Sequence, residues 1–458
     1  MYEIDFKKPQ HVHFIGIGGI SMSGLAEILL KEQFTISGSD MKPSALTEHL
    51  TAMGVTISYP QSATNIVDGI DVVVYTAAIH EDNPELMEVR RRNLPTLTRA
   101  QLLGQLMRNY KTPIAVSGTH GKTTTTSMLS HILLEAEKDP TISVGGILHA
   151  IGGNIRIGGS DVFVTEACEY TNSYHDFFPQ IAIILNVEED HMDFFKDIDD
   201  IRASFHKFAS LLPKDGALVI NKNIEQMETI TDELDCKIIT YSETQDADYC
   251  AKNISFDTFG NASFDLYKYG VYVDRIQLSV AGNHNVSNAL STIAVADLLE
   301  ISLADIKNGV KSFTGTDRRF QYKGEVNGFT VIDDYAHHPT EIRATLTSAR
   351  NYPHREIWCI FQPHTYTRTK AFFHEFAEAL SLADHVILAD IYAARETDTL
   401  GMSSEALAEE ICKLGTDAYY LPSFEAIEKF VLEKCFHNDV LITMGAGDVV
   451  NIGNSLLK

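Results

Sequence analysis

Apolar runs alternate with helix-like patterns along the first hundred residues of the chain. The predicted strands lie at 11–17, 34–37, 55–59 and 71–75, and the predicted helices at 21–33 and 44–53. Strict alternation of strand and helix indicates a parallel sheet with helices packed on its faces.

The alternation restarts twice farther along the chain. The middle part has predicted strands at 114–117, 161–165 and 181–186 and helices at 122–137 and 285–300. Short alternating runs between 236 and 280 predict an antiparallel patch. The last part has predicted strands at 330–334, 356–361, 385–389 and 440–444 and helices at 339–350, 370–382, 404–413 and 424–434. We therefore predict three α/β domains, with limits at 1–107, 108–315 and 316–458.

Composition narrows the class of protein. The 458 residues are 44% apolar and 22% charged, which is typical of a globular protein. Acidic residues outnumber basic ones by 62 to 37, so binding to nucleic acid through overall charge is not expected. The chain lacks an apolar run of about 18 residues and begins without the apolar core of a signal peptide, so no membrane insertion is predicted. Six scattered cysteines without a C-x-x-C pair indicate reduced thiols and a cytoplasmic protein.

A glycine-rich loop, Gly16-Ile-Gly-Gly-Ile-Ser21, joins the first predicted strand to the first predicted helix. Glycines let the backbone approach a phosphate, and a helix N-terminus favours negative charge. Asp40 follows the next strand, where a dinucleotide-binding fold places a ribose-binding acid, but Ser21 replaces the third glycine of that fingerprint. A nicotinamide-dependent dehydrogenase is the first hypothesis for this loop, and a tight turn without a ligand is the alternative.

A second loop, Gly118-Thr-His-Gly-Lys-Thr-Thr124, also follows a predicted strand and begins a helix. Its backbone amides can surround phosphates, Lys122 can reach the terminal phosphates, and the Thr123 hydroxyl can bind Mg²⁺. The loop is two residues shorter than a standard P-loop, because Val116 occupies the position of the first glycine. This motif predicts that ATP or GTP binds here.

Further polar residues follow predicted strands or begin helices. Glu166 and His191 lie where two strands end, an arrangement that suits a divalent cation, and an ordinary acidic loop is the alternative. The amides of Asn285 and Asn288 can contact an adenine edge or cap a helix. Arg319 at the second junction can reach a γ-phosphate when domains close. Polar residues after two C-terminal strands can bind substrate or simply top the sheet: Asp334, Tyr335, His337, Arg368 and Lys370.

Taken in order, these motifs resemble those of the Mur ligases, ATP-dependent amide-forming enzymes of peptidoglycan precursor synthesis. The resemblance covers essentially the whole chain. It rests on Ile15-Gly-Ile-Gly-Gly-Ile20, Gly118-Thr-His-Gly-Lys-Thr-Thr124, Glu189-Asp-His-Met-Asp193, Gly282-Asn-His-Asn285, Asp317-Arg-Arg-Phe320, Asp334-Tyr-Ala-His-His-Pro339, Phe361-Gln-Pro-His364 and Met444-Gly-Ala-Gly-Asp448.

The resemblance implies a Rossmann-like N-terminal domain for a UDP-sugar, a central P-loop ATPase domain for MgATP, and a Rossmann-like C-terminal domain for an amino acid. Within the family the chain is similar to the alanine-adding branch. That branch phosphorylates the lactyl carboxylate of UDP-N-acetylmuramate with ATP, and L-alanine then attacks the acyl phosphate. We expect a monomer or a weak homodimer.

The resemblance also implies roles for individual residues. The UDP-sugar site would comprise Gly16, Gly18, Gly19, Ser23 and Asp40. The ATP site would comprise Gly118, Thr119, His120, Gly121, Lys122, Thr123, Thr124, Asn285, Asn288, Arg319 and Asp334. Thr123, Glu166 and His191 would bind Mg²⁺, and the amino-acid site would comprise Tyr335, His337 and Arg368. The implied catalytic residues are Lys122, His191 and Arg319.

Four positions depart from the family pattern. Ser21 replaces a glycine of the first loop, and Thr165-Glu-Ala-Cys-Glu-Tyr170 differs from the commoner E-A-D-E-S-D form while keeping Glu166. His206, beside Lys207, stands where other Mur ligases carry a carbamylated lysine, which resembles the alanine-adding branch. Thr365 replaces an arginine of many alanine-adding enzymes and leaves carboxylate recognition to Arg368.

Other classes of protein compete with this interpretation. A recycling ligase that adds an intact tripeptide shares the nucleotide loops and differs only in the amino-acid pocket. The dehydrogenase and a nucleotide-binding regulator without turnover are the alternatives from other classes. Intact Lys122, Thr123, Glu166 and His191 argue against the regulator. The N-terminal glycine loop would be out of place in a folate-type glutamyl ligase.

Overall fold

The computed structural model describes residues 2–76, 79–394 and 396–458, and it contains three units, each built on its own sheet. The strands of the first unit are β1 (His11–Ile15), β2 (Thr35–Ser39), β3 (Thr56–Ser58), β4 (Val72–Tyr75) and β5 (Thr96–Thr98). They form an all-parallel sheet in the order β3-β2-β1-β4-β5. The helices are α1 (Ile20–Lys31), α2 (Ala45–Ala52), α3 (Pro84–Arg91) and α4 (Arg99–Met107).

The second unit is a ten-stranded mixed sheet. Its strands are β6 (Thr112–Ser117), β7 (Thr141–Leu148), β8 (Gly153–Arg156), β9 (Val162–Ala167), β10 (Ile181–Ile184), β11 (Ala217–Asn221), β12 (Lys237–Ser242), β13 (Tyr249–Phe256), β14 (Asn261–Lys268) and β15 (Val271–Ala281). The order is β15-β14-β13-β12-β11-β10-β6-β9-β7-β8, and pairing is antiparallel only within β13-β14-β15 and between β7 and β8. Its helices are α5 (Lys122–Glu135), α6 (Ile198–Ala209), α7 (Glu228–Thr231), α8 (His284–Leu298) and α9 (Leu303–Ser312).

The third unit is a six-stranded sheet with one antiparallel edge. The strands are β16 (Gln321–Val326), β17 (Phe329–Asp334), β18 (Ile357–Phe361), β19 (His385–Leu388), β20 (Asp417–Tyr420) and β21 (Val440–Met444), in the order β16-β17-β21-β18-β19-β20. The helices are α10 (Pro339–Arg350), α11 (Tyr366–Ala371), α12 (Phe373–Leu380), α13 (Ser404–Lys413), α14 (Phe424–Lys434) and α15 (Val450–Leu456).

The predicted fold class is confirmed, although one predicted helix is replaced by two helices in the structure. Three α/β units, a mainly parallel central sheet and an antiparallel patch are all present. The single helix predicted over 370–382 is instead the pair α11 and α12. Phe372 separates them, because its φ of −114° and ψ of 30° interrupt the helical conformation. The domain limits 1–107, 108–315 and 316–458 stay a prediction.

Helix α4 joins the first unit to the second. One cluster of buried apolar side chains runs from the first sheet through Leu102, Leu103 and Leu106 into the second unit. A Cβ added at Gly104 would collide with the Asp176 carbonyl oxygen, so α4 packs directly on the second unit. The loops at the carboxyl ends of both sheets are thereby held in a fixed relation. None of the helices in the described residues combines the length and apolar character needed to span a membrane.

Candidate active site

The phosphate-type loop lies between β6 and α5. Gly118 and Gly121 have φ values of +142° and +85°, which favour glycine. A Cβ at Gly118 would lie 2.9 Å from the Cβ of Leu185, so the loop packs closely on β10. Helix α5 begins at Lys122, and its N-terminal amides point into the loop. A helix N-terminus behind a glycine loop favours a bound phosphate.

Lys122 is held in this loop by backbone and carboxylate oxygens. Its Nζ donates to the carbonyls of Gly118 and Thr119 at 2.5 and 3.1 Å and to Glu169 Oε2 at 2.9 Å. Burial lowers the pKa of Lys122, but the Glu169 carboxylate outweighs it and holds the pKa above its ordinary value. The amine therefore stays cationic at the position where terminal phosphates would lie.

Glu166 faces the same loop from the end of β9. Its Oε2 accepts a hydrogen bond from the Thr123 hydroxyl at 3.1 Å, and its Oε1 accepts one from the Gly145 amide at 2.6 Å. A Cβ at Gly145 would lie 2.9 Å from the carboxylate, so glycine is required for this approach. A hydroxyl and a carboxylate side by side are the hard oxygen donors that Mg²⁺ prefers, and these residues fit that ion.

His191 lies beside the same Glu169 carboxylate that accepts from Lys122. Its ring stacks on Tyr170 with centroids 4.4 Å apart, and its Nε2 lies 3.8 Å from Glu169 Oε1 and from Asp190 Oδ2. Burial lowers the pKa of His191 despite both carboxylates, so the neutral ring keeps a nitrogen lone pair for a cation. The structure thus places Glu169 between Lys122 and His191. That Glu166 and His191 share one ion stays a prediction.

We expect the replacement of His191 by alanine to raise the Mg²⁺ concentration needed for half-maximal activity by about 10- to 100-fold. The change removes a neutral nitrogen ligand while Lys122 keeps its other contacts. Titration of Mg²⁺ against phosphate release measures the effect. His374→Ala, an exposed histidine in the third unit, is the matched control. An unchanged Mg²⁺ requirement in His191→Ala would contradict the metal role.

A cavity of about 430 Å³ opens beside the loop and is walled by the second and third units. Among the residues predicted for ATP, those that line it are His120, Gly121, Thr124, Asn285, Asn288, Arg319 and Asp334. Asn288 Nδ2 donates to Asn285 Oδ1 at 3.0 Å, and Asn285 Nδ2 donates to the Ala281 carbonyl at 2.7 Å. The paired amides therefore present their remaining atoms to the cavity as a preorganised edge.

The carboxylate of Asp334, predicted to contact the ATP ribose, already accepts several hydrogen bonds from the protein. It accepts them from the amides of Phe320 and Ala336, both at 2.8 Å, and from the Thr345 hydroxyl at 3.1 Å. Burial raises the pKa of Asp334 to about 6, against the lowering effect of Arg319. In this structure the carboxylate fixes the loop that carries Arg319, and its contact with a ribose stays a prediction.

The residues predicted to bind the amino acid lie together beyond the carboxyl ends of β17 and β18 in the third sheet. The Tyr335 ring lies 5.3 Å from the Arg319 guanidinium and meets the His337 ring edge-on at 5.4 Å. Arg368 Nη2 donates to Asp190 Oδ1 at 2.9 Å, which links the third unit to the second. Burial raises the pKa of Asp190, but Arg368 outweighs it and holds the pKa well below its ordinary value.

The junction between the second and third units is built from polar contacts. His120 Nδ1 lies 3.1 Å from Glu341 Oε1, and the Thr340 hydroxyl donates to Glu188 at 2.7 Å. Burial lowers the pKa of His120, but Glu341 and Glu188 outweigh it and raise the pKa to about 10. His338 Nε2 contacts the Glu189 carbonyl at 3.1 Å. The phosphate loop is thus bonded directly to the third unit.

The first glycine loop is held by hydrogen bonds within the first unit. Asp40 Oδ2 accepts from the Gly18 amide at 2.8 Å, and its Oδ1 accepts from the Met41 amide at 2.7 Å. Ser23 Oγ donates to the Ile20 carbonyl at 3.0 Å and is buried. Gly16 has a φ of +83°, and Gly18 leaves room for the Asp40 carboxylate. The contacts of these residues and of Gly19 with a UDP-sugar stay a prediction.

Sequence reasoning missed four residues of this site. Glu169 belongs to the segment that contains Glu166, and Asp190 directly precedes His191. Glu341 lies in the first turn of α10, and its carboxylate meets His337, which precedes the helix, at 3.3 Å. Glu188 lies in the loop that follows β10. Only the folded structure brings it to Thr340 and His120.

The fold and this site define a nucleotide-dependent ligase, and the comparisons with known proteins agree: the chain belongs to the Mur ligase family. The family's catalytic domain matches residues 11–111, its middle domain matches 116–296, and its glutamate ligase domain matches 318–447. Together the three matches span most of the chain.

Highly similar curated relatives share one name, and the solved structures include a second kind of ligase. The chain is 58% identical to a UDP-N-acetylmuramate–L-alanine ligase from Lachnospira eligens over 100% of both chains, and 58% identical to one from Agathobacter rectalis, also over 100% of both. A crystal structure of UDP-N-acetylmuramate-alanine ligase from Thermotoga maritima has a TM-score of 0.82 and 31% identity, with 98% of each chain covered. A murein peptide ligase from Psychrobacter arcticus has a TM-score of 0.71 and 26% identity over 98% of each chain.

Proposed function

We propose that this chain joins L-alanine to the lactyl carboxylate of UDP-N-acetylmuramate with ATP, in peptidoglycan precursor synthesis. The observation that carries the proposal is the 58% identity, end to end, with ligases of that name. The geometry supports it, because the Lys122 ammonium and the Thr123–Glu166 pair lie together in the glycine loop, beside a cavity lined by the second and third units. The cytoplasm, where ATP is available, is the proposed location.

The first chemical step must bring two anions together. In it a carboxylate oxygen attacks the γ-phosphorus of ATP, the bond to the β-γ bridging oxygen breaks, and ADP leaves. Lys122, cationic and fixed by Glu169, lowers the repulsion between the carboxylate and the phosphate. Arg319, on the wall of the cavity, supplies a second positive charge from the third unit.

The second step makes the amide. The neutral amine of L-alanine attacks the carbonyl carbon of the acyl phosphate. The tetrahedral intermediate collapses as the bond from carbon to the phosphate oxygen breaks, and the proton lost by the nitrogen leaves with the phosphate. His337 has its pKa lowered to about 4 by burial, against the raising effect of Glu341. It is therefore neutral at physiological pH and can accept a hydrogen bond from the amine. We propose that Tyr335 and Arg368 complete this amino-acid site.

Mg²⁺ is the proposed cofactor. The Thr123 hydroxyl and the Glu166 carboxylate would hold one ion, and Glu166 with a nitrogen of His191 would hold a second. Its chemistry would be the neutralisation of negative charge on the transferred phosphate. The chain itself would do the rest: the loop amides would orient the phosphate, and the contact of His120 with Glu341 holds the loop against the third unit.

Release of phosphate tests this proposal and separates it from the recycling ligase. The purified chain is incubated with ATP, Mg²⁺ and UDP-N-acetylmuramate, with either L-alanine or the tripeptide L-alanyl-γ-D-glutamyl-diaminopimelate. Release that depends on L-alanine supports the proposal. Release with the tripeptide alone would assign the chain to the recycling reaction. Absence of release with either substrate would favour the dehydrogenase or the regulator. A monomer or weak homodimer is the proposed assembly, which light scattering after gel filtration measures.

Replacing Arg368 by lysine is expected to raise the KM for L-alanine by about tenfold, with little change in the KM for ATP. Lysine keeps the charge that faces Asp190 but loses the planar pair of donors that a carboxylate accepts. Arg350→Lys, an exposed residue paired with Asp384 in the same unit, is the matched control. A fall in kcat with no change in the KM for L-alanine would contradict this role.

A further inference from the structure

Arg99 is a charged residue between the first two units that none of the roles above uses. It is the first residue of α4, and its Nη1 donates a hydrogen bond to Ser21 Oγ at 3.1 Å. Ser21 lies in the first turn of α1, directly after the glycine loop. Arg99 therefore lies beside the proposed UDP-sugar loop although it is far from that loop in the sequence.

The guanidinium of Arg99 has more donors than acceptors. A guanidinium carries five N–H groups. Within residues 2–76, 79–394 and 396–458, the Ser21 hydroxyl is the single atom that accepts a hydrogen bond from it. Burial lowers the pKa of Arg99, and Cys168 and Glu166 oppose that effect. The side chain is partly exposed, so its remaining N–H groups are accessible to an anion that binds between the units.

Arg99 also lies between the two nucleotide sites. On one side it contacts Ser21 after the glycine loop, and on the other side its charge interacts with Glu166, which receives the Thr123 hydroxyl of the phosphate loop. A substrate that spans both sites must place its reacting group here. In UDP-N-acetylmuramate that group is the lactyl carboxylate, which is attached to the sugar and must reach the γ-phosphate.

We propose that Arg99 binds the lactyl carboxylate of the UDP-sugar substrate and orients it toward the phosphate loop, an inference that rests on the proposed function. The residue is rigidly mounted. Thr98 and Gln101 form a capping box around it, and Gly104 packs α4 on the second unit. Paired N–H groups of an arginine match the two oxygens of a carboxylate. For attack on ATP one oxygen must leave the guanidinium while the other stays bound to it.

Binding of two nucleotides that differ in this carboxylate tests the inference. UDP-N-acetylglucosamine is the same nucleotide sugar without the lactyl group. Calorimetry is carried out with both nucleotides on the wild-type chain, on Arg99→Met and on Arg99→Lys. We expect Arg99→Met to weaken binding of UDP-N-acetylmuramate by about 10- to 100-fold and to leave UDP-N-acetylglucosamine within about twofold. Arg99→Lys should recover part of the loss, because it restores the charge but not the paired donors.

Arg108→Met is the matched control on the same helix. Arg108 is exposed, pairs with Glu3 and lies over the Phe178 ring, so neither affinity should change. An equal loss for both nucleotides in Arg99→Met would overturn the inference, because it would show that Arg99 only holds the glycine loop through Ser21. Unchanged affinity for UDP-N-acetylmuramate would overturn it as well. Failure of the proposed function is detected separately, since the wild-type chain would then release no phosphate in response to L-alanine, whatever the two affinities are.

Discussion

Replacing Lys122 by alanine is expected to lower the rate of phosphate release by about 1000-fold or more while the fold stays intact. The substitution removes the lysine cation of the phosphate loop and leaves the buried Glu169 carboxylate without the ammonium group that it accepts from. In the mutant, three negative groups would meet without the ammonium charge of Lys122: the lactyl carboxylate, the γ-phosphate and Glu169. The amount of phosphate released at fixed times measures the rate, and circular dichroism checks that the fold is intact.

The matched control for this change is Lys111→Ala. Lys111 is an exposed lysine that pairs with Asp161 at the start of the second unit, and its loss should leave kcat within about twofold. Wild-type-like phosphate release by Lys122→Ala would remove the loop from the chemistry. A variant with both Lys122→Ala and Glu169→Gln separates lost catalysis from the penalty of a buried, unpaired carboxylate, because it should recover stability but not activity.

The second large effect is expected for Glu166→Gln. An amide of the same shape can still accept from the Thr123 hydroxyl or from the Gly145 amide, so the end of β9 should stay in place. The negative charge that the proposed Mg²⁺ requires is lost. We expect phosphate release to fall by about 100-fold at ordinary Mg²⁺ concentrations, with partial recovery as Mg²⁺ is raised.

A titration of Mg²⁺ with Glu166→Gln and its control checks this prediction. Glu135→Gln, an exposed carboxylate at the end of α5, should behave as the wild-type chain does. A loss of activity that no Mg²⁺ concentration relieves, together with a lower melting temperature, would mean that Glu166 acts only as a structural acceptor for Gly145. An unchanged rate would remove Glu166 from the metal site.

The fold was largely predictable because its signals are local. Helix α10 has the predicted limits 339–350, since Pro339 begins it and His338 caps it through the Thr340 amide. The strand before the phosphate loop and the helix after it were both expected from apolar runs that flank glycines. Where local signals conflict, prediction failed. The run 370–382 reads as one helix, yet the backbone of Phe372 divides it.

The candidate site was predictable only as a set of separate motifs. Glu169 was missed because its role depends on meeting Lys122 and His191 across three different loops. Arg99 was missed because its partner Ser21 lies 78 positions away in the sequence. Arg368 was predicted to bind a substrate carboxylate, which stays a prediction, but its pairing with Asp190 of another unit was not foreseen. Such pairings are set by how the three units pack, and no spacing along the chain encodes them.

One measurement tests the central claim most directly: the fate of an oxygen label in the lactyl carboxylate. UDP-N-acetylmuramate with oxygen-18 in that carboxylate is incubated with the wild-type chain, ATP, Mg²⁺ and L-alanine. Mass spectrometry then measures the masses of the released phosphate and of the nucleotide product. Attack on ATP and later loss of phosphate must transfer one labelled oxygen to the released phosphate. We predict labelled phosphate together with a product heavier by one alanyl residue. Unlabelled phosphate, or no alanyl product, would contradict the account.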